Sequence, residues 1–227
     1  MKSFGVIATG LATLVGVASA RVQGFDISHY QPSVDFNAAY ADGARFVIIK
    51  ATEGTTYKDP KFSQHYIGAT NAGFIRGGYH FAQPASSSGA AQADYFLKNG
   101  GGWSSDGITL PGMLDMEYNP NGSACYGLSQ ASMRNWINDF VNTYHSRTGV
   151  YPLLYTTTSW WKTCTGNTAM FADKCPLVIA RYNSVVGELP AGWSFWTIWQ
   201  YNDHYKHGGD SDAFNGDYSQ LQRIARG

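Results

Sequence analysis

Two carboxylates separated by one residue, Asp115 and Glu117, are the side chains in this sequence best suited to catalysis. They follow the apolar segment 110–114, and residues two apart on a strand point to the same side, with Cα atoms about 6.6 Å apart. Such a pair can cleave a glycosidic bond, because one carboxyl protonates the leaving oxygen while the other supports the developing positive charge. Burial and like charge raise one pKa, which keeps that partner protonated.

The same spacing also has less specific interpretations. A D-x-E tripeptide is common, and this one could be a solvated edge or part of a Mg²⁺ site. Its position at the end of a predicted buried strand favours catalysis, because buried strands rarely end in two acids that have no use.

Neighbouring strands are predicted to end in further polar and aromatic side chains. Asp26 ends the first strand and is either a cap for the turn before Ser28 or a functional acid. Glu53 ends the second strand, where we expect an ion-pair partner or a loop residue. Tyr79 and Phe81 alternate on the third strand, so they share a face as core residues or as a platform for a sugar ring.

Three groups at the end of the last predicted strand, Trp199, Gln200 and Tyr201, also combine stacking with hydrogen bonding. In contrast, we expect His29 and His80 to be hydrogen-bonded structural groups rather than bases. A further set of potential ligands falls in a Gly- and Asp-rich segment typical of a solvated loop, so no metal site is expected there. That set is His204, His207, Asp210 and Asp212.

Strands and helices that could position these residues alternate along the chain. Short apolar runs bounded by turn residues predict strands at 22–27, 45–51, 75–81, 110–117, 151–156, 177–180 and 195–201. Asp59 as cap, Pro60 at the first helical position and Gly73 after the last turn predict one helix between them. The clearest helix follows Ser129 and ends at Gly149, with apolar residues at the spacing of one buried face. Those residues are Met133, Trp136, Ile137, Phe140, Val141 and Tyr144.

Repeated strand–helix units predict a parallel sheet, and seven or eight of them predict a closed barrel of the α/β class. The alternation weakens after Tyr155, so we expect the last third to be irregular. Because the active site of such a barrel lies at the carboxyl ends of its strands, these acids are expected to meet there.

The first 20 residues are predicted to be a signal peptide. Lys2 precedes an apolar run, and small residues at 18–20 suit signal peptidase. We therefore expect a secreted, extracellular protein in which residues 21–227 form one catalytic domain, with no segment that spans a membrane. The formal net charge is zero, with 16 basic and 16 acidic residues, which argues against nucleic acid as a partner.

An odd number of cysteines, Cys125, Cys164 and Cys175, predicts one disulfide and one free thiol in an oxidising compartment. None of these cysteines is separated by the two residues typical of zinc sites. Asn121 begins a glycosylation sequon just after the acid pair.

Several segments, in the same order along nearly the whole of residues 21–227, resemble glycoside hydrolase family 25, the Chalaropsis-type lysozymes, and in particular its secreted fungal members. The resemblance is carried by GFDISHYQ (24–31), IKATEG (49–54), GGYHFAQP (77–84), LDMEYNP (114–120), ARY (180–182), WQY (199–201) and SDAFNG (211–216). It implies a single irregular TIM-like barrel of about five β/α units followed by three further strands.

The resemblance also implies an activity and a set of site residues. The expected enzyme is an N-acetylmuramidase that cleaves the β-1,4 bond between N-acetylmuramic acid and N-acetylglucosamine in peptidoglycan glycan strands. Glu117 matches the general acid, and Asp115 matches the group that attacks the anomeric carbon or steers the 2-acetamido group to do so. Asp26 and Asp212 match supporting acids. The positions that match groove residues are Tyr79, Phe81, Tyr155, Trp199 and Gln200.

The resemblance pairs Cys125 with Cys164 and leaves Cys175 as a free, buried thiol. We expect a monomer without cofactor, although dimerisation through Cys175 stays open. Two other functions are weighed against the muramidase: a chitinase-like hydrolase that uses the same acid pair, and a sugar-binding barrel that has lost its chemistry.

Overall fold

The computed structural model describes residues 21–227, and the predicted signal peptide at 1–20 lies outside the described residues. Five strand–helix units come first along the chain, followed by three further strands and a final helix. The strands are β1 (Arg21–Ile27), β2 (Phe46–Glu53), β3 (Tyr57–Lys58), β4 (Ile75–Phe81), β5 (Met113–Asp115), β6 (Leu153–Thr156), β7 (Leu177–Ala180), β8 (Ile198–Asn202) and β9 (Asp210–Asn215). The helices are α1 (Phe36–Ala41), α2 (Phe62–Asn71), α3 (Gly89–Phe96), α4 (Gln130–Thr148), α5 (Thr158–Thr165) and α6 (Tyr218–Arg226).

Eight of the nine strands form a closed barrel, which confirms the predicted α/β barrel with an irregular last third. The strands follow the order β1, β9, β8, β7, β6, β5, β4, β2, and the parallel pairing of β1 with β2 closes the ring. The short strand β3 pairs antiparallel with the end of β2, outside the ring. Only β9 runs antiparallel to both of its barrel neighbours.

The prediction that 204–212 is a solvated loop was wrong for its last residues, because Asp210 to Asp212 begin β9. This polar segment can form a strand because the side chains of Asp210 and Asp212 face the polar end of the barrel interior rather than the apolar core. Asp212 is accordingly buried, and Ser211, which points to the opposite face, is also buried and donates to the carbonyl of His204 at 2.9 Å.

The helix after Ser129 is confirmed, including its ends. The Ser129 side chain accepts a hydrogen bond from the backbone N–H of Ser132, and Gly149 ends the helix with φ 81°. The predicted start of α2 was two residues early, because Lys61 is the cap and Phe62 is the first helical residue. Asp59 still accepts from the Lys61 N–H, but its other carboxylate oxygen is occupied by His29.

Two apolar layers fix the barrel and leave one end of its interior open to polar groups. The inner layer fills the barrel interior near the amino ends of the parallel strands, and α6 closes that end with Leu221 and Ala225. The outer layer packs between strands and helices and contains the buried face of α4. Because this part of the interior is filled, a site inside the barrel can form only at the carboxyl ends of the parallel strands.

Two predictions about the cysteines are confirmed: Cys125 and Cys164 form a disulfide, and Cys175 is free and buried. Within residues 21–227, no helix is long and apolar enough to cross a membrane.

Candidate active site

The acid pair lies at the carboxyl end of β5. Asp115 is the last residue of the strand and is buried, whereas Glu117 lies two residues beyond it and is half-buried. The predicted strand 110–117 is therefore shorter than expected. Its extended path nevertheless continues, because the backbone N–H of Met116 donates to the carbonyl of Tyr155 on β6 at 3.0 Å, and the Met116 side chain packs in the outer layer.

Burial raises the pKa of both carboxyls, and neighbouring acids add to the rise. Loss of hydration is the largest cause for each, and the charge of Glu117 adds to the rise at Asp115, whose pKa lies well above its ordinary value. The Oδ1 atom of Asp115 is buried without a hydrogen-bond partner among residues 21–227. A buried carboxylate oxygen left unpaired by the protein is typical of a group that acts on a ligand.

Asp26 belongs to the same site and is not a turn cap. Its Oδ2 accepts a hydrogen bond from Nε2 of Gln200 at 2.7 Å. Burial raises the pKa of Asp26 to about 8, the charges of Asp210 and Glu117 add to the rise, and the Gln200 hydrogen bond opposes it. Both interpretations of Asp26 were open from the sequence, and the geometry favours the functional one.

Gln200 connects several strands of the site through its side-chain amide. Its Oε1 accepts hydrogen bonds from the hydroxyls of Tyr155 at 2.8 Å and Tyr182 at 3.1 Å. Its strand neighbour in register is Asp212, which is buried and has an unpartnered Oδ1 among the described residues. Burial, then the charges of Asp26 and Asp210, hold the pKa of Asp212 well above its ordinary value.

Four of the five predicted groove residues share the interior of the barrel. Phe81, Asp115 and Tyr155 lie opposite one another in register on adjacent strands, and Tyr79 precedes Phe81 on the same face. Gln200 joins them through its hydrogen bond from Tyr155.

The structure does not bring Trp199 into this set. Trp199 has the opposite parity on β8, so it packs in the outer layer beside Trp196 and Tyr201. Its indole N–H donates to the carbonyl of Arg181 at 2.9 Å.

Lys50 is a site residue that the sequence pattern did not single out. It is 9% exposed, and its Nζ lies 2.7 Å from Glu53, which confirms Glu53 as an ion-pair partner, and 4.8 Å from the Phe81 ring centre. Its positive charge lowers the pKa of Asp115 and Glu117 against the effect of burial. The signal was present, because Lys50 continues the alternation of Phe46 and Ile48, both of which face the barrel interior.

Asp210 and Tyr182 were also missed. Tyr182 follows β7 and donates to Asp210 Oδ2 at 3.4 Å as well as to Gln200. Asp210 raises the pKa of Asp26 and of Glu117. Recognising 210–215 as a strand would have placed Asp210 on the same face as Asp212, because the two are separated by one residue.

The expectation that two histidines are hydrogen-bonded is confirmed. His80 is fully buried between Thr52 and Gln92, at 2.7 and 2.9 Å, and burial lowers its pKa to about 4. His29 is held by Asp59. Among residues 21–227, no three His, Cys, Asp or Glu side chains are grouped as metal ligands would be.

A covalent link holds the loop that follows the acid pair. Cys125 is joined to Cys164 on α5. The next two residues, Tyr126 and Gly127, have φ of 58° and 73°, and the Leu128 N–H closes the turn on the Cys125 carbonyl. Tyr126 is 7% exposed, and its pKa is raised by burial and then by the charges of Asp115 and Glu117. The turn therefore fixes one wall beside the acids.

The clustered acids predict a cost in stability that can be measured at Asp26. Its folded-state pKa of about 8 exceeds the ordinary value of 3.8, so the folded protein binds more protons than the unfolded chain between these values. The contribution of Asp26 to the free energy of unfolding therefore falls as pH rises from about 4 to 8. We expect Asp26→Asn to raise the free energy of unfolding at pH 7 by about 1 kcal/mol or more, and to leave it nearly unchanged at pH 3.5.

Urea unfolding followed by tryptophan fluorescence at both pH values checks this expectation. Asp173→Asn, at an exposed carboxylate, is the control and should give no pH-dependent gain. Destabilisation by Asp26→Asn at pH 7, or an equal gain at both pH values, would contradict it.

Taken together, the site offers two adjacent carboxyls with raised pKa, the buried Asp212, the partly buried Asp26 and a set of aromatic rings at the open end of a barrel. One protonated and one ionised carboxyl suit the cleavage of an acetal bond by proton donation and charge stabilisation. Aromatic rings with flanking amide and hydroxyl groups suit a sugar ring.

Comparison with known sequences agrees with this chemistry. A family model described as "Glycosyl hydrolases family 25" matches residues 25–210. The N,O-diacetylmuramidase of Chalaropsis sp is 59% identical over 210 residues, which cover 91% of this chain and 100% of the relative. The N,O-diacetylmuramidase of Arthroderma benhamiae is 55% identical over 223 residues, which cover 98% of this chain and 94% of the relative.

Solved structures give the same result for the fold. A muramidase from Acremonium alcalophilum is 66% identical with a TM-score of 0.90, and the match covers 90% of this chain and 99% of the other. A family GH25 lysozyme from Aspergillus fumigatus is 62% identical with a TM-score of 0.91, covering 92% and 100% of the two chains. Sequence, fold and acid cluster agree, and the chain belongs to family 25 of the glycosyl hydrolases.

Proposed function

We propose that this enzyme is a lysozyme that hydrolyses the β-1,4 bond between N-acetylmuramic acid and N-acetylglucosamine in peptidoglycan. The observation that carries the proposal is the pair of adjacent carboxyls with raised pKa at the open end of a family 25 barrel. It is supported by relatives that are named N,O-diacetylmuramidase and cover nearly the whole chain.

Burial raises the pKa of Asp115 further than that of Glu117, so the roles of the two acids are assigned from their depth and not from their pKa. Glu117 is half-buried at the mouth, where a glycosidic oxygen can reach it, so it donates the proton as the C–O bond breaks. Asp115 lies deeper and is the carboxylate that stabilises the anomeric carbon, either by attacking it or by steering the 2-acetamido oxygen to attack. Glu117 then takes a proton from water, whose oxygen attacks the anomeric carbon and breaks its bond to the Asp115 carboxylate or to the acetamido oxygen. Both routes use two displacements and retain the anomeric configuration.

The remaining interior groups support these steps. Asp26 and Gln200 form a hydrogen-bonded unit that, with Asp212, orients Asp115 or the acetamido group. Phe81 and Tyr155 flank Asp115 in register and provide surfaces and a hydroxyl for the sugar, as does Tyr79. The packing of Trp199 in the outer layer supports a structural role for that residue instead.

Secretion is part of the proposal. It is supported by the leader pattern at 1–20 and by the Cys125–Cys164 disulfide, because disulfides persist in oxidising compartments. The partner is the glycan strand itself, and the enzyme acts as a monomer without a cofactor.

Mass spectrometry of products from defined peptidoglycan strands tests the proposed bond. We expect N-acetylmuramic acid at every new reducing end. New N-acetylglucosamine reducing ends would contradict the muramidase assignment, and release of sugars from chitin but not from peptidoglycan would favour the chitinase-like alternative. Binding of strands without any product over a day would favour a sugar-binding barrel.

Removal of the buried cation should move the pH profile of this reaction. The charge of Lys50 lowers the pKa of Asp115 and Glu117, so Lys50→Met raises both values, while methionine keeps an unbranched side chain of similar size beside Phe81. Both limbs of the pH profile of kcat/KM should move to higher pH, by about one unit.

The pH dependence of kcat/KM on soluble glycan strands measures this shift. Lys162→Met removes an exposed lysine that pairs with Glu188 away from the acids, and it should leave the profile in place. A Lys50→Met profile that stays in place or moves to lower pH would contradict the proposed effect of Lys50 on the acids.

A further inference from the structure

A largely exposed aromatic ring, that of Tyr30, stands at the same end of the barrel as the acids. Tyr30 is 80% exposed and lies in the turn that follows β1. The turn is closed by hydrogen bonds from the Gln31 N–H to the Ser28 carbonyl at 3.1 Å and from the Ser28 N–H to the Gln31 side chain at 3.0 Å. The Tyr30 N–H donates to the Ser28 hydroxyl at 3.3 Å. The ring is therefore carried on a rigid support.

A buried carboxylate anchors the ring beneath Tyr30. The Tyr30 ring centre lies 4.2 Å from that of His29. Oδ2 of Asp59, whose side chain has no exposed surface, accepts from the backbone N–H of His29 at 3.0 Å and contacts its Nδ1 at 2.9 Å. The Tyr57 hydroxyl contacts the same Nδ1 at 3.1 Å. We call His29, Tyr30 and Tyr57 the rim platform.

Contacts connect the rim platform to the acid site. The Tyr57 ring centre lies 5.4 Å from Nζ of Lys50, which in turn lies 4.8 Å from the Phe81 ring centre. Phe81 is in register with Asp115. Since β1, β2, β4 and β5 are parallel neighbours, the turn after β1 and the acids lie at the same barrel end. The platform thus extends the interior aromatic surface outward to the rim.

We propose that the rim platform is a distal glycan subsite, in which the free face of Tyr30 stacks on a pyranose ring of the strand being cut. This inference rests on the proposed function. One face of Tyr30 is taken by His29, so the other is available to the apolar C–H face of a sugar. Because Asp59 and Tyr57 both use Nδ1 of His29, its Nε2 is left for a sugar hydroxyl. The rigid turn reduces the entropic cost of binding.

Binding to strands of two lengths tests the subsite. In a Glu117→Gln background, titration calorimetry compares strands of four sugars with strands of at least eight. We expect Tyr30→Ala to weaken binding of the long strands roughly three- to tenfold, to leave binding of the short strands unchanged, and Tyr30→Phe to restore the long-strand affinity. With an intact Glu117, Tyr30→Ala should raise KM for long strands at constant kcat, because the lost contact is equal in ground and transition states.

Phe195→Ala is the matched control, because Phe195 is 64% exposed but precedes β8 at the opposite end of the barrel. It should change neither affinity. The subsite would be contradicted, and the proposed function left intact, by any of three results. These are unchanged binding of long strands by Tyr30→Ala, an equal loss for both lengths, or failure of Tyr30→Phe to restore binding. If the Glu117→Gln enzyme bound neither length, the proposed function and the subsite would both be contradicted.

Discussion

Glu117→Gln lowers kcat on peptidoglycan strands by roughly 10²–10⁴-fold, the range that a general acid contributes. Glutamine keeps the size and polarity of the side chain but has no proton to donate to the leaving sugar. The variant should fold normally, because Glu117 is only half-buried. Loss of the Glu117 charge also removes a repulsion that acts on Asp115. The rate is measured by chromatography of soluble products, because turbidity loss alone does not separate binding from cleavage.

A substrate with an acidic aryl leaving group makes this test specific. Such a group leaves without protonation, so Glu117→Gln should lose much less rate in the bond-breaking step with it than with natural strands. Glu188→Gln, at an exposed glutamate paired with Lys162, is the matched control and should retain full activity. An unchanged rate in Glu117→Gln on natural strands would remove Glu117 from the mechanism.

Asp115→Asn should lower kcat by roughly 10³-fold or more, because the charge that stabilises the anomeric carbon is lost in both versions of the mechanism. In contrast to Glu117→Gln, the loss should be equally large with an aryl leaving group, since no proton transfer is bypassed. The variant should also be more stable than the wild type at neutral pH, because Asp115 is buried with an unpartnered Oδ1 among residues 21–227.

Parallel measurements of rate and of urea unfolding at pH 7 check both parts of this expectation. Asp173→Asn serves again as an exposed control. A loss confined to substrates with poor leaving groups would mean that Asp115 rather than Glu117 is the proton donor. A modest loss with every substrate would mean that Asp115 does not stabilise the anomeric carbon.

The sequence predicted the barrel well because its signals are local. Each early strand is a short apolar run, and helix ends such as Ser129 and Gly149 have side-chain and backbone preferences that need no tertiary context. The last strand, 210–215, was missed from its pattern because Asp210, Ser211 and Asp212 are polar. Ser211 and Asp212 are buried only because the barrel places them among other polar groups, which depends on tertiary structure.

The prediction of the candidate site was also successful where the signal was local and unsuccessful where it depended on tertiary structure. Asp115 and Glu117 were found from their spacing at a strand end, and Asp26 and Asp212 from the resemblance. Trp199 was placed in the groove by the resemblance, although the alternation of β8 sends the side chains of Trp199 and Gln200 to opposite faces.

Other groups depend on contacts that no local pattern contains. Lys50 affects the acids through space from another strand, and Tyr182 acts through its hydrogen bonds to Gln200 and Asp210. Asp59 caps the start of α2 only in part. One of its carboxylate oxygens accepts from the Lys61 N–H, and the other accepts from the backbone N–H of His29 in the turn after β1. The alternation of side chains along β2 would have identified Lys50 as a site residue. The hydrogen bonds of Tyr182, in contrast, could not be predicted without the closed barrel.

The anomeric configuration of the first product tests the central claim, that Asp115 and Glu117 act as a retaining pair. Proton NMR of a defined glycan strand, recorded before mutarotation equilibrates the new reducing end, separates the two anomers. We predict that the β anomer of N-acetylmuramic acid forms first with the wild type and that no early signal forms with Glu117→Gln. An α anomer as the first product would show single displacement by water and would contradict the roles assigned to both carboxyls.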